Sequence, residues 1–188
     1  TDSATLIPMA FLIILIISYA LLRSIVGVLS VLVVCILSIL FAMGSGGWMG
    51  IGLTPPSASA PIIIVTLAVA DSIHLLVSAL NRMRAGYTQR DSILYSMRVN
   101  FKPVFLTSLT TAVGFLSLNF SDSPPFHDLG NISAIGVMAA WLYSITLLPI
   151  LVSFLPLGKP KNTIKTLDSL MTRVGTFIAD RYLSLIHI

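Results

Sequence analysis

Asp71 is the lone Asp, Glu, Lys or Arg between Arg23 and Arg82. A carboxylate inside so long an apolar stretch costs roughly 2.5–3.5 kcal/mol if it sits at mid-bilayer. Desolvation works against the charged form of such a group, so it can take up and release a proton, the raw material of proton-coupled transport. The plainer alternative is a structural carboxyl, protonated or hydrogen-bonded to a neighbouring helix. His74 follows three residues later, on the same side of a helix. There it either relays a proton to and from Asp71, orients it, or packs. Ser72 and Ser78 add hydroxyls, and a second polar group follows at Thr107, Ser108, Thr110 and Thr111, with Gly114 one turn on. Thr107, Thr111 and Gly114 share a helical face, which suits either close helix packing or the lining of a hydrated path beside Asp71. Gly136-x-x-x-Ala140 is a further small-residue packing pattern. His127 and Asp128 fall where an outer loop is expected, in a solvated or capping role.

The elements that must position these groups follow from hydropathy. The chain has 188 residues, 56% hydrophobic and 10% charged, with a mean hydropathy of +0.97. A soluble domain carries about 25% charged residues, so lipid is the solvent for most of this chain. The net charge of +4 does not point to nucleic acid, because the basic residues sit in short connectors. The single cysteine, Cys35, excludes disulfides and cysteine metal sites. No phosphate-binding loop, dinucleotide fingerprint, His/Cys metal spacing or Ser-His-acid set occurs, so neither cofactor nor metal nor ATP hydrolysis is expected, and the chain is not read as an enzyme.

An all-α, polytopic transmembrane bundle is expected, with five spans at about 6–22, 25–43, 61–80, 104–120 and 132–155. A single helix over Leu6–Met43 would run about 57 Å at 1.5 Å per residue, far beyond a ~30 Å core, so the chain turns at Arg23. Gly44-Ser45-Gly46-Gly47 and Thr54-Pro55-Pro56-Ser57 read as loop chemistry. Pro61 suits a first helical turn, Gly86 closes the third helix, and Thr88 with Asp91 forms a capping-box-like start. Tyr87, Leu94, Met97 and Phe101 then predict a short amphipathic helix in the interface, ending where Pro103 opens the fourth span. The segment 121–130 reads as a loop, and 158–188 as an amphipathic connector with Ile164, Leu167, Met171, Val174 and Ile178 at helical steps.

Five spans place all eleven Lys and Arg residues on one side, with none in 44–60 or 121–130. The positive-inside rule makes that side cytosolic, the amino end external and the carboxyl end cytosolic, in a cell (inner) membrane. The start at Thr1 without a Met reads as a piece of a longer protein, and Ser184–Ile188 looks like translated adaptor sequence.

Ala70-Asp71-Ser72-Ile73-His74-Leu75-Leu76 resembles the fourth-helix motif of RND-superfamily permeases of the MMPL type. Pro103 to Phe115, reading PVFLTSLTTAVGF, resembles that family's next signature, and Gly136 through Pro149 is similar to its sixth helix. Eukaryotic relatives call the same half a sterol-sensing (SSD) domain. The resemblance covers about 61–156 and implies helices two to six of one repeat, the first repeat being favoured, in a twelve-helix protein with extracytoplasmic domains. It also implies Asp71 as the proton-relay acid, although many relatives place a Tyr between the acid and Ser-Ile-His. The function expected is export of lipids or other hydrophobic molecules by proton antiport, with protons as the coupling ion. The partners expected are membrane lipids, the second repeat, the external domains and a hydrophobic or lipid substrate. The alternatives are a lipid- or sterol-sensing domain without transport and a protein-export accessory subunit of the same superfamily.

Overall fold

The computed structural model of the chain describes residues 2–155, 157, 172–173 and 175–177. The chain divides into two compact units, Thr1–Gly158 and Lys159–Ile188. The described residues of the second unit are helical. The predicted stripe of Ile164, Leu167, Met171, Val174 and Ile178 and the terminal pentapeptide lie outside the described residues.

The described residues of the first unit form five α-helices: α1 (Asp2–Leu22), α2 (Ile25–Trp48), α3 (Ala60–Arg84), α4 (Gln89–Leu116) and α5 (Pro124–Phe154). Short 3-10 turns at Ser57–Ser59 and Ser117–Phe120 join them. Four stretches are long and apolar enough to cross a membrane, Ile25–Trp48, Ser57–Arg84, Gln89–Phe120 and Pro124–Phe154, and Phe11–Leu22 adds a shorter apolar helix within α1. Large apolar side chains such as Leu12, Ile16, Leu40, Leu106 and Val113 point outward, as a lipid-facing surface requires.

The local punctuation falls where the residues dictate. Arg23 takes a left-handed φ of 48° between α1 and α2, a conformation that costs a non-glycine residue about 1 kcal/mol or more. Ser24 then caps α2, its hydroxyl oxygen accepting from the Gly27 N–H at 3.3 Å. Pro61 sits in the first turn of α3, where its missing N–H leaves no bond unmade. At the other end Gly86, at φ +95°, closes the helix, and the Tyr87 N–H reaches back to the Arg82 carbonyl. The Thr88 side chain accepts from the Asp91 N–H at 3.2 Å, starting α4.

Three expected boundaries are corrected. Gly44, Ser45, Gly46 and Gly47 belong to the last turns of α2, not to a loop. Gly46 is helical because it is a packing position: a Cβ there would lie 3.1 Å from Ile132 Cγ1. Pro103 does not open a new helix, because α4 runs unbroken from Gln89 to Leu116. The interfacial stretch and the fourth span are thus one helix of 28 residues, about 42 Å long. Finally, α5 begins at Pro124, so His127 and Asp128 are helical. The His127 ring nitrogen Nε2 meets the Ser121 carbonyl at 2.7 Å and ties the preceding turn to the helix.

Two buried clusters fix the helices' directions. One joins Ala42, Ala60, Ile64 and Ile132, bringing together the end of α2 and the starts of α3 and α5. The other includes Val31, Leu76, Leu80 and Val152, from the opposite ends of the same three helices, together with Leu22 of α1. The helices therefore alternate in direction, with α3 the one that touches all four others.

Candidate functional site

Asp71 lies halfway along the apolar stretch Ser57–Arg84, on the one helix that every other helix contacts. Its side chain is 6% exposed. The Ser108 hydroxyl donates to Asp71 Oδ2 at 3.1 Å, from a serine itself 3% exposed. One residue on, Ser72 Oγ and Ser144 Oγ on α5 are 3.3 Å apart, both fully buried. The buried Ser96 hydroxyl donates to the Leu75 carbonyl at 2.6 Å. Asp71 thus sits in a buried seam where α3 is hydrogen-bonded to α4 on one side and to α5 on the other.

The sequence of α4 explains how the seam forms. Its buried residues are Ser92, Ser96, Val104, Ser108 and Ala112, spaced at multiples of four, and two of them, Ser96 and Ser108, bond to α3. Small residues let helices approach closely and their hydroxyls bond across the gap. Farther along, Trp141 of α5 packs on Phe101 and Phe105 of α4, with ring centroids at 5.9 and 4.8 Å. The Gln89 side chain binds the Val152 and Leu155 carbonyls and accepts from the Leu157 N–H, tying the start of α4 to the end of α5.

Of the predicted site residues, the structure brings together Asp71 and Ser108, and it buries Ser72 against Ser144. His74 is exposed and, among the described residues, has no hydrogen-bond partner. Three residues advance a helix by about 300°, and the 60° left over carries His74 off the edge of the buried face. Thr107 is also exposed, its hydroxyl bonded to the Pro103 carbonyl of its own helix at 2.8 Å. Thr110 and Thr111 likewise donate to carbonyls of α4. A Cβ on Gly114 would meet nothing within 4 Å. Within the described residues the face of Thr107 and Gly114 therefore neither packs nor reaches Asp71. Sequence reasoning missed Ser144, Ser96 and Gln89; the four-residue ladder of small side chains in α4 is the signal that marks Ser96.

The Ser72–Ser144 pair offers a direct measure of the seam's strength. Interhelical bonds of this kind inside membranes couple by about 0.6 kcal/mol on average. A double-mutant cycle of Ser72→Ala and Ser144→Ala, read by unfolding in bicelles, should return a coupling of about that size. Strict additivity would mean the two hydroxyls do not bond.

A family match covers nearly the whole chain: residues 1–182 match the MMPL family. The protein MJ1562 of Methanocaldococcus jannaschii is 30% identical over 131 residues, which is 70% of this chain and 33% of that protein. The chain thus spans about a third of the length of the curated relative it matches. No solved structure matches it significantly.

Proposed function

The chain belongs to the MMPL family, and on that premise we propose that it is the proton-handling half of an RND-type permease that moves lipids or other hydrophobic molecules across a cell membrane. The observation that carries the reading is the buried Asp71 carboxylate halfway through a membrane-length helix, held by one hydroxyl from α4. An ionised Asp71 accepts the Ser108 hydroxyl proton. A neutral Asp71 keeps a carbonyl oxygen that can still accept from Ser108, but the acceptor is then uncharged and the bond weaker. Protonation therefore changes the bond between α3 and α4. The open face of α4, with Thr107 and Gly114, is where we place the second repeat, so that a shift of α4 against α3 is passed on to the external domains.

Topology supports the direction of coupling. Arg23 lies at the α1–α2 turn, Arg82 and Arg84 close α3, and Arg90, Arg98 and Lys102 fall in the first half of α4. With helices alternating in direction, these belong to one end of the bundle, while the opposite connections 49–56 and 117–123 carry no Lys or Arg. We assign the basic end to the cytosol, which places the amino end outside, and Asp71 then takes protons from the external side during export.

In membrane vesicles containing the intact protein, an imposed proton gradient should drive movement of a hydrophobic fluorescent lipid, and a protonophore should abolish it. Movement that survives the protonophore, or that requires ATP, contradicts the reading.

One observation favours a second reading, a lipid-sensing domain without transport. A groove of about 470 Å³ between α2, α4 and α5 is lined by Phe41, Leu116, Ile135, Met138 and Leu142 among others, large and apolar enough for an acyl chain. A sensor should keep its lipid when Asp71 is replaced by Asn, whereas a transporter keeps the lipid and loses movement.

A further inference from the structure

The basic end of the bundle contains a second cavity, unconnected with Asp71. It measures about 340 Å³ and is lined by Arg82, Tyr87, Asp91, Leu94, Tyr95 and Arg98. The Arg82 guanidinium is clamped between two rings, 3.9 Å from the centre of Tyr87 and 4.0 Å from that of Tyr95. Its buried Nε has no hydrogen-bond partner. Asp91 is the acid in the cavity, and it is already engaged, accepting from the Thr88 hydroxyl at 2.7 Å. Among the described residues neither Arg82 nor Arg98 has a carboxylate partner. Two guanidiniums therefore share the cavity with a single carboxylate, which leaves one positive charge in excess. One of them is fixed in place by aromatic faces, which hold an arginine's orientation without using up its N–H donors.

The next groove on α4 has the opposite character. It is about 210 Å³ in volume and is lined by Ile93, Leu94, Pro149 and Ile150, with Arg90 and Ser153 at its edge. Leu94 belongs to both spaces, so a cationic cavity and an apolar groove share a wall. That pairing matches an amphiphile with an anionic head and a hydrocarbon tail. Tyr87 and Tyr95 are the residue type that settles at the membrane–water boundary.

We propose that this is a binding site for an anionic phospholipid, with Arg82 and Arg98 on the phosphate and an acyl chain along Ile93, Leu94 and Ile150. Arginine forks match phosphate oxygens in pairs, and basic pockets between helices at the membrane surface select anionic heads in this way. The bound lipid joins the start of α4 to the end of α5, the same two segments that Gln89 ties together.

Native mass spectrometry of the intact protein, titrated with phosphatidylglycerol or with phosphatidylcholine of the same chains, tests the site. The wild type should retain phosphatidylglycerol preferentially. Arg98→Gln should lower that preference roughly fivefold, and adding Arg82→Gln should lower it again. Arg82 is packed between two rings, so its loss can disturb the fold. Arg98 is exposed and makes no hydrogen bond or ion pair among the described residues, so Arg98→Gln carries the test alone if the double variant is unstable. Arg23→Gln, a basic residue outside the cavity, should leave the preference unchanged. Equal retention of the two lipids would overturn the proposal, as would equal effects of Arg23→Gln and Arg98→Gln. Displacement of the lipid by glycerol phosphate at matching concentration would overturn it too, since that identifies a site for a soluble anion.

Discussion

Asp71→Asn is expected to reduce gradient-driven transport to the level seen with a protonophore, while leaving the protein folded and inserted. Asn has the shape of Asp and keeps a carbonyl oxygen that can accept the Ser108 hydroxyl, now 3.1 Å from Oδ2. What it lacks is the exchangeable proton. The fold should change in stability by about 1 kcal/mol or less, the difference between a bond to a charged acceptor and one to a neutral acceptor, offset by the charge no longer buried. Full loss of coupling with an unchanged unfolding transition is the signature of a proton carrier. A structural carboxyl would give the reverse, a destabilised protein whose folded fraction still works. Asp71→Glu is the companion variant. It restores the proton but adds a methylene in a seam where both partners are buried, and overpacking of that kind costs about 1–3 kcal/mol. Partial activity with lowered stability is expected.

Gly136→Val is expected to destabilise the bundle severely. A Cβ at Gly136 would stand 2.3 Å from Ile64 Cδ1, 2.5 Å from Ile64 Cγ1 and 3.0 Å from Ala42 Cβ. Ile64 and Ala42 are both fully buried, so neither has space to retreat into. The backbone of α5 must move away from α2 and α3 together, opening the seam that holds Asp71. Even Gly136→Ala should cost about 1–3 kcal/mol, and the branched valine should exceed that, with little folded protein recovered. Pairing Gly136→Ala with Ile64→Ala supplies the control. Each change alone destabilises, one by crowding and one by leaving a cavity, so together they should cost clearly less than their sum. Gly114→Ala should be neutral in comparison, since its Cβ enters open space. Melting curves in detergent would rank all five variants.

These residues also show which parts of the structure a sequence can reveal. Span existence is legible because a bilayer demands long apolar runs, and α3, expected at 61–80, is found at Ala60–Arg84. The turn at Arg23, the cap at Thr88 and the stop at Gly86 are legible because each depends on the backbone chemistry of a few adjacent residues. Glycine clusters are ambiguous. Gly44 to Gly47 and the run before Ile132 carry the composition of loops, yet they are helix because small residues serve equally at turns and at close helix crossings. Gly130 makes the same point, since a Cβ there would lie 2.5 Å from the Phe115 carbonyl oxygen. Pro103 misleads for a related reason. A proline ends most helices in water, but in a long α4 anchored on both flanks by Ser96 and Ser108 the helix continues through it. Asp71 stands out as a candidate in the sequence because a charge in an apolar run is costly wherever it points. Its partners are not, because whether Ser108 or Thr107 faces α3 depends on the rotation of α4, which only tertiary packing decides.

The central claim is that Asp71 exchanges a proton within the membrane, and infrared difference spectroscopy on the lipid-reconstituted protein tests it without knowledge of the substrate. Stepping the pH should change a carboxyl C=O band that vanishes in Asp71→Asn and persists in Asp128→Asn. A spectrum in which no pH-sensitive carboxyl band depends on Asp71 would contradict the account.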